Sequence, residues 1–111
     1  MRIFKFGGAS VKDAAGVQNL LKVLRHQGIE NTTLVVSAMG KTTNAMEEVV
    51  SSYLKAKTSK QPTQEVVTEA MAPSRAFHQQ IVKELFNGES SDVMVQVNLL
   101  FDEISGFLAW N

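Results

Sequence analysis

The sequence predicts an α/β fold, a parallel βαβ unit followed by helices. Three observations carry this. Two β-prone runs, Arg2-Ile3-Phe4-Lys5-Phe6 and Thr33-Leu34-Val35-Val36-Ser37, are separated by an apolar stripe at helical spacing. Each run ends in a glycine-containing loop that opens a helix. After the second loop, the apolar residues recur mainly at helical spacing. A strand-helix-strand order of this kind is a right-handed crossover between two parallel strands.

Each element has its own signals. The first strand stops at Gly7-Gly8, and Asp13 is the expected N-cap of the next helix. Val17, Leu20, Leu21 and Leu24 form that helix's apolar stripe, and Gly28 stops it. Thr33 to Ser37 is short, apolar and β-branched, which predicts a buried strand. The loop Ala38 to Thr42 leads into a second helix. Thr43 or Asn44 is its expected cap, with Glu47 at the capping-box position after Asn44. Met46, Val49, Val50, Tyr53 and Leu54 make its apolar face, and Lys55 to Pro62 reads as a polar turn.

A helical region then runs from about Thr63 to Phe86, with Val66, Val67, Ala70, Met71, Phe77, Ile81 and Leu85 on its apolar side. Pro73 is expected to kink it or to begin a second helix there. Asn87-Gly88 ends it, and Ser90 or Ser91 caps a last segment from Asp92 to Leu108. Val93, Val95, Val97 and Leu99 alternate as in a strand. Val93, Val97, Leu100, Ile104, Phe107 and Leu108 fit a helix over a longer span, so helix is the reading.

A chain of 111 residues is one small domain, and 44% hydrophobic with 20% charged residues argues against disorder. No apolar run is long enough to span a membrane, so no membrane association is expected. The N-terminal residues lack the pattern of a signal peptide, which fits a cytoplasmic protein. There are no cysteines, which excludes disulfides, thiolate zinc sites and cysteine nucleophiles. Formal charge is zero but unevenly spread. Residues 1–60 hold nine Lys/Arg against four Asp/Glu, and residues 61–111 hold two against seven. The basic part suits an anionic small ligand such as a phosphate, and equally an ordinary solvated face. No basic block with interleaved aromatics is present, so no nucleic-acid partner is expected.

The two loops carry the chemistry. In Lys5-Phe6-Gly7-Gly8-Ala9-Ser10 a lysine near a strand end precedes two glycines and a helix. Glycines let backbone N–H groups approach an anion, and the helix start adds partial positive charge. The plain alternative is a tight strand-to-helix turn beside an exposed lysine. The second loop contains Gly40-Lys41-Thr42, but a P-loop needs a glycine where Val35 stands. What remains is Ser37 at a strand end, and hydroxyls at a helix start that can bind an anion, cap the helix, or both. On adjacent parallel strands the two loops would face each other across one cleft, where α/β sheets bind ligands.

Lys5-Phe6-Gly7-Gly8-Ala9-Ser10 closely resembles the Lys-Phe-Gly-Gly-Thr-Ser signature of aspartate kinases. Val35-Val36-Ser37-Ala38, followed shortly by Thr43-Asn44, resembles the family's second loop. The stretch with Leu99-Leu100-Phe101-Asp102-Glu103-Ile104 is similar to its helical insertion, so the resemblance spans essentially the whole chain. It implies the N-terminal part of an amino-acid-kinase fold, with residues to about 60 as a βαβα unit and about 61–111 as the insertion. It implies a transferase that uses ATP and Mg²⁺ to phosphorylate the side-chain carboxylate of L-aspartate. That step opens lysine, threonine, methionine and isoleucine synthesis.

By motif, Lys5 would stabilise the transferring phosphoryl group and act as the catalytic residue. Lys5, Phe6, Gly7 and Gly8 would bind ATP. Ser37 and Thr43 would bind substrate, and no metal ligand is assigned. Lys41 has no matching position. The carboxylate acceptor is already ionised at neutral pH, so neither His26 nor His78 is needed as a base.

The chain departs from the pattern at Ala9, where the family has threonine. The family's later Gly-Glu motif and its nucleotide- and metal-holding segment fall outside these 111 residues. The chain is therefore expected to be inactive alone and to form homo-oligomers. Three rivals stand beside this reading: another amino-acid-kinase enzyme, such as a glutamate, acetylglutamate or uridylate kinase; a non-catalytic binding module; and a bifunctional protein with homoserine dehydrogenase fused downstream.

Overall fold

The computed structural model describes residues 1–87 and 92–110. It contains two parallel strands and four helices among the described residues, a mixed α/β chain that is mostly helical. The chain divides into two compact units, Met1–Thr42 and Thr43–Asn111.

In the first unit β1 (Arg2–Phe6) pairs in parallel with β2 (Thr32–Val36), in register from Arg2 with Thr32 to Phe6 with Val36. The crossover is α1 (Ala14–Gln27). Asp13 caps it as expected, in extended backbone, with its carboxylate accepting the Gly16 N–H at 2.8 Å. Asp13→Ala should cost about 1 kcal/mol by urea denaturation, and Asp13→Asn much less. Gly28, at φ 81°, ends α1 and donates its N–H to the Leu24 carbonyl at 2.8 Å. That left-handed φ is open to glycine and strained for other residues.

Side chains alternate across the sheet, so Phe4 and Phe6 share a face with Leu34 and Val36. Lys5 is on the other face and is exposed, while both phenylalanines are half-buried. The expectation of a buried β2 is corrected: Leu34, Val35 and Val36 are between 41% and 48% exposed. A parallel strand is buried when layers cover both its faces, and this two-stranded sheet does not achieve that for β2. The apolar run marks a capacity for burial.

The second unit is built from α2 (Thr42–Thr58), α3 (Thr63–Leu85) and α4 (Asp92–Trp110). Val49 and Tyr53 of α2, Val67 and Met71 of α3, and Phe101 of α4 form its buried cluster. Met46, Ala70, Val97 and Leu108 pack against them. Val50 and Leu54, expected on the apolar face of α2, are exposed.

Two helix boundaries differ from expectation, both in α2, and of the two readings offered for Pro73 the second helix is ruled out. α2 begins at Thr42, so Thr43 and Asn44 lie inside its first turn and are not its caps. The cause is a tight turn: Gly40 adopts φ 56°, and Thr42 donates to the Met39 carbonyl through both its N–H and its Oγ. α2 also continues past Lys55 to Thr58, with Lys55 and Lys57 in a last turn whose dipole favours them. α3 passes through Pro73 as one helix. Pro73 and Glu69, whose carbonyl loses its partner, are both exposed, so water can satisfy that group. Buried residues on both sides of the proline hold the helix: Val67 and Met71 before it, Ile81 and Val82 after it. The expected end at Gly88 and the caps Ser90 and Ser91 lie outside the described residues.

α4 is a helix, which resolves the ambiguous spacing. It packs on α3 through His78, whose ring meets Phe77 and Phe101 edge-on at 5.3 and 5.4 Å. The His78 Nδ1 lies 2.7 Å from the Ser74 carbonyl. Gln79 donates to Asn98 at 2.7 Å, and Arg75 pairs with Asp102 at 2.7 Å. That ion pair is largely open to water, so Arg75→Ala should cost no more than about 1 kcal/mol. A double-mutant cycle with Asp102→Ala measures the coupling.

Candidate functional site: an anion cradle at the strand ends

Parallel pairing brings the carboxyl ends of β1 and β2 side by side, and the Ser37 N–H donates to the Phe6 carbonyl at 2.9 Å. The chain leaves β1 through two overlapping turns. Ser10 N–H donates to the Gly7 carbonyl at 3.0 Å, and Val11 N–H to the Gly8 carbonyl at 3.3 Å. The loop after β2 reverses at Gly40.

The two loops touch at Gly8. A Cβ there would lie 2.9 Å from the Gly40 carbonyl oxygen and 3.3 Å from that of Ala38. This is backbone against backbone, so no side chain can move aside. Gly7 is different: a Cβ there would meet nothing within 4 Å. Its flank is open, and neither the Gly7 nor the Gly8 N–H donates to an acceptor among the described residues.

Lys5 and Ser37 are exposed at this end, and Lys5 makes no ion pair among the described residues. The one carboxylate between β1 and α1, Asp13, is occupied in capping. Two unengaged backbone donors, a hydroxyl and a cation with no competing acid suit an anion.

Of the residues named from sequence, Lys5, Phe6, Gly7, Gly8 and Ser37 thus stand at one end of the strand pair. Thr43 is exposed in the first turn of α2, within the second unit. His26 is exposed in the last turn of α1. Sequence reasoning missed Gly16. A Cβ there would fall 2.3 Å from the Ser10 carbonyl oxygen, so α1 packs directly on the first loop. The available signal was a glycine in a helical turn, which costs about 1 kcal/mol against alanine and so wants a reason.

The polar groups at the strand ends fit the phosphates of a nucleotide. They do not make a magnesium cage. Among the described residues no group of three or more His, Asp or Glu is placed to hold a metal ion.

No protein-family model matches the chain, and neither does any curated protein or any solved structure.

Proposed function

We propose that these loops are the phosphoryl-binding part of an aspartate kinase. The observation that carries the reading is the contact of two glycine loops, with unengaged N–H donors, at paired strand ends beside an exposed lysine. The reading is supported equally by the two motif resemblances in their order along the chain.

In this reading a carboxylate oxygen of L-aspartate attacks the γ-phosphorus of ATP in line. The bond to the β–γ bridging oxygen breaks, and ADP leaves as 4-aspartyl phosphate forms. No proton is transferred, so no base is required. Catalysis then rests on positioning and charge. Lys5 neutralises charge on the transferring group, and Gly7 and Gly8 donate backbone hydrogen bonds to the phosphates. Phe6, half-buried, anchors the strand end from which they project. Ser37 offers its hydroxyl to the substrate, and the role of Thr43 rests on the motif resemblance alone.

The test is a trapping assay on the uninterrupted reading frame that contains these residues. It receives L-aspartate, MgATP and hydroxylamine, and aspartyl hydroxamate is the expected product. Turnover with another amino acid or a nucleotide, but not with aspartate, would assign a different kinase. In the 111-residue chain itself, ATP should shift the amide resonances of Gly7, Gly8 and Ser37. Unchanged resonances at saturating ATP would remove the phosphate site altogether.

A further inference from the structure

A groove of about 280 Å³ lies between α3 and α4 in the second unit. The two helices run antiparallel, since Gln79 meets Asn98 and Arg75 meets Asp102. Beyond these two rungs of long polar pairs the residues at the seam become small. Thr68 of α3 and Ser105, Gly106 and Ala109 of α4 line the gap that results. Gly106 keeps it clear, because a Cβ there would meet nothing within 4 Å. The Arg75–Asp102 pair and Gln64 complete the lining.

Most of the polar groups here are unspent. Arg75 donates one hydrogen bond, from Nη1 to Oδ1 of Asp102 at 2.7 Å, and has no other partner among the described residues. A guanidinium and a carboxylate can pair through two bonds, and this pair uses one. The remaining guanidinium donors and the second carboxylate oxygen are therefore open. The Ser105 hydroxyl and the Gln64 side-chain amide also make no hydrogen bond among the described residues, whereas the Thr68 hydroxyl is turned to the Gln64 carbonyl.

We infer that this groove binds a small zwitterion, namely a free α-amino acid with a short apolar side chain. The ligand carboxylate takes the open donors of Arg75 and the Ser105 hydroxyl. The ligand ammonium takes the open oxygen of Asp102. The two charges of an α-amino acid are held one carbon apart, so adjacent groups of opposite sign match them. A simple anion would meet the Asp102 carboxylate and a simple cation the Arg75 guanidinium, and each encounter is repulsive. Gly106 and Ala109 offer the ligand side chain neither charge nor bulk. The volume lies just below the range of about 300–1,000 Å³ typical of pockets for drug-sized ligands, which suits a molecule of this size. Arg75 and Asp102 remain partly open to water, so affinity in the millimolar range is expected. The inference does not rest on the kinase reading, since every residue it uses lies in α3 or α4.

The test is a titration of the 111-residue chain with L-alanine, followed by amide resonances. Saturable shifts are expected at Thr68, Ser105 and Gly106. Acetate and methylammonium, which carry one charge each, should bind at least about tenfold more weakly. Gly106→Val should fill the groove and abolish the shifts, with helical circular dichroism intact, since valine is no worse than glycine in a helix. Asp102→Asn, which removes the ammonium partner without changing side-chain size, should weaken L-alanine by about tenfold. The absence of saturable shifts with L-alanine would overturn the inference. So would acetate binding as tightly as L-alanine, binding that survives both substitutions, or shifts confined to Gly7, Gly8 and Ser37.

Discussion

Gly16→Ala should destabilise the first unit by about 2–3 kcal/mol, near the upper end of the usual cost of overpacking. The sign is the interesting part. In an ordinary helix the same change stabilises by about 0.5–1 kcal/mol, because alanine has less chain entropy to lose. At Gly16 the added carbon would sit 2.3 Å from the Ser10 carbonyl oxygen and 3.3 Å from the Asp13 carboxylate that caps the helix. The first obstacle is backbone, so no rotamer change relieves it. Either α1 moves off the loop or the loop moves, and the loop is the segment that carries Gly7 and Gly8. Gly106→Ala in α4 is the matched control, because a Cβ there meets nothing within 4 Å. It should stabilise by about 0.5–1 kcal/mol. Urea unfolding followed by hydrogen exchange at α1 and β1 separates the two. Equal effects of the two substitutions would mean that the approach of α1 to Ser10 is not fixed in solution.

Much of this fold was legible because its local signals agree. The Asp13 cap, the Leu20 and Leu24 stripe and the Gly28 stop define α1 with little help from elsewhere. β1 ends where its glycines begin. What escaped was set by neighbours that a linear reading does not see. Thr43 and Asn44 are good caps, yet Thr42 is drawn into the helix by its bonds to Met39 across a turn at Gly40. Pro73 left two readings open in the sequence, and one helix runs through it because Met71 and Ile81 are buried on either side. β2 has the composition of a buried strand and stands half-exposed.

The candidate site divides the same way. Lys5, Gly7, Gly8 and Ser37 were readable because their residue types are unusual at strand ends and carry obvious chemistry. The contact of Gly8 with Gly40 was not readable, since it depends on the parallel register that brings Phe6 beside Val36. Gly40 belongs to a Gly-Lys-Thr run that lacks the first glycine of a P-loop. Its place in the structure is to turn the second loop at positive φ and present a carbonyl to Gly8.

Lys5→Ala is expected to lower the turnover number of the uninterrupted frame by about 10²–10³, the usual loss when one preorganised charge partner of a transition state is removed. Folding should hold within about 0.5 kcal/mol, because the side chain is exposed and makes no ion pair among the described residues. The variant therefore separates chemistry from stability more cleanly than any glycine change here. Lys5→Arg keeps the charge but replaces a compact ammonium by a planar fork, so it should recover only part of the rate. Lys41→Ala, in the second loop but outside the matched positions, should change turnover little. The form of the loss decides what Lys5 does. If Lys5 only attracts ATP over a distance, its loss lowers kcat/KM at low salt, and the loss fades as salt screens the charge. If Lys5 sits on the transferring phosphoryl group, its loss lowers kcat itself, at every salt concentration. Measuring both constants for Lys5→Ala across ionic strength tests the assigned contact directly, because the loss of steering leaves kcat unchanged and the loss of transition-state binding lowers it.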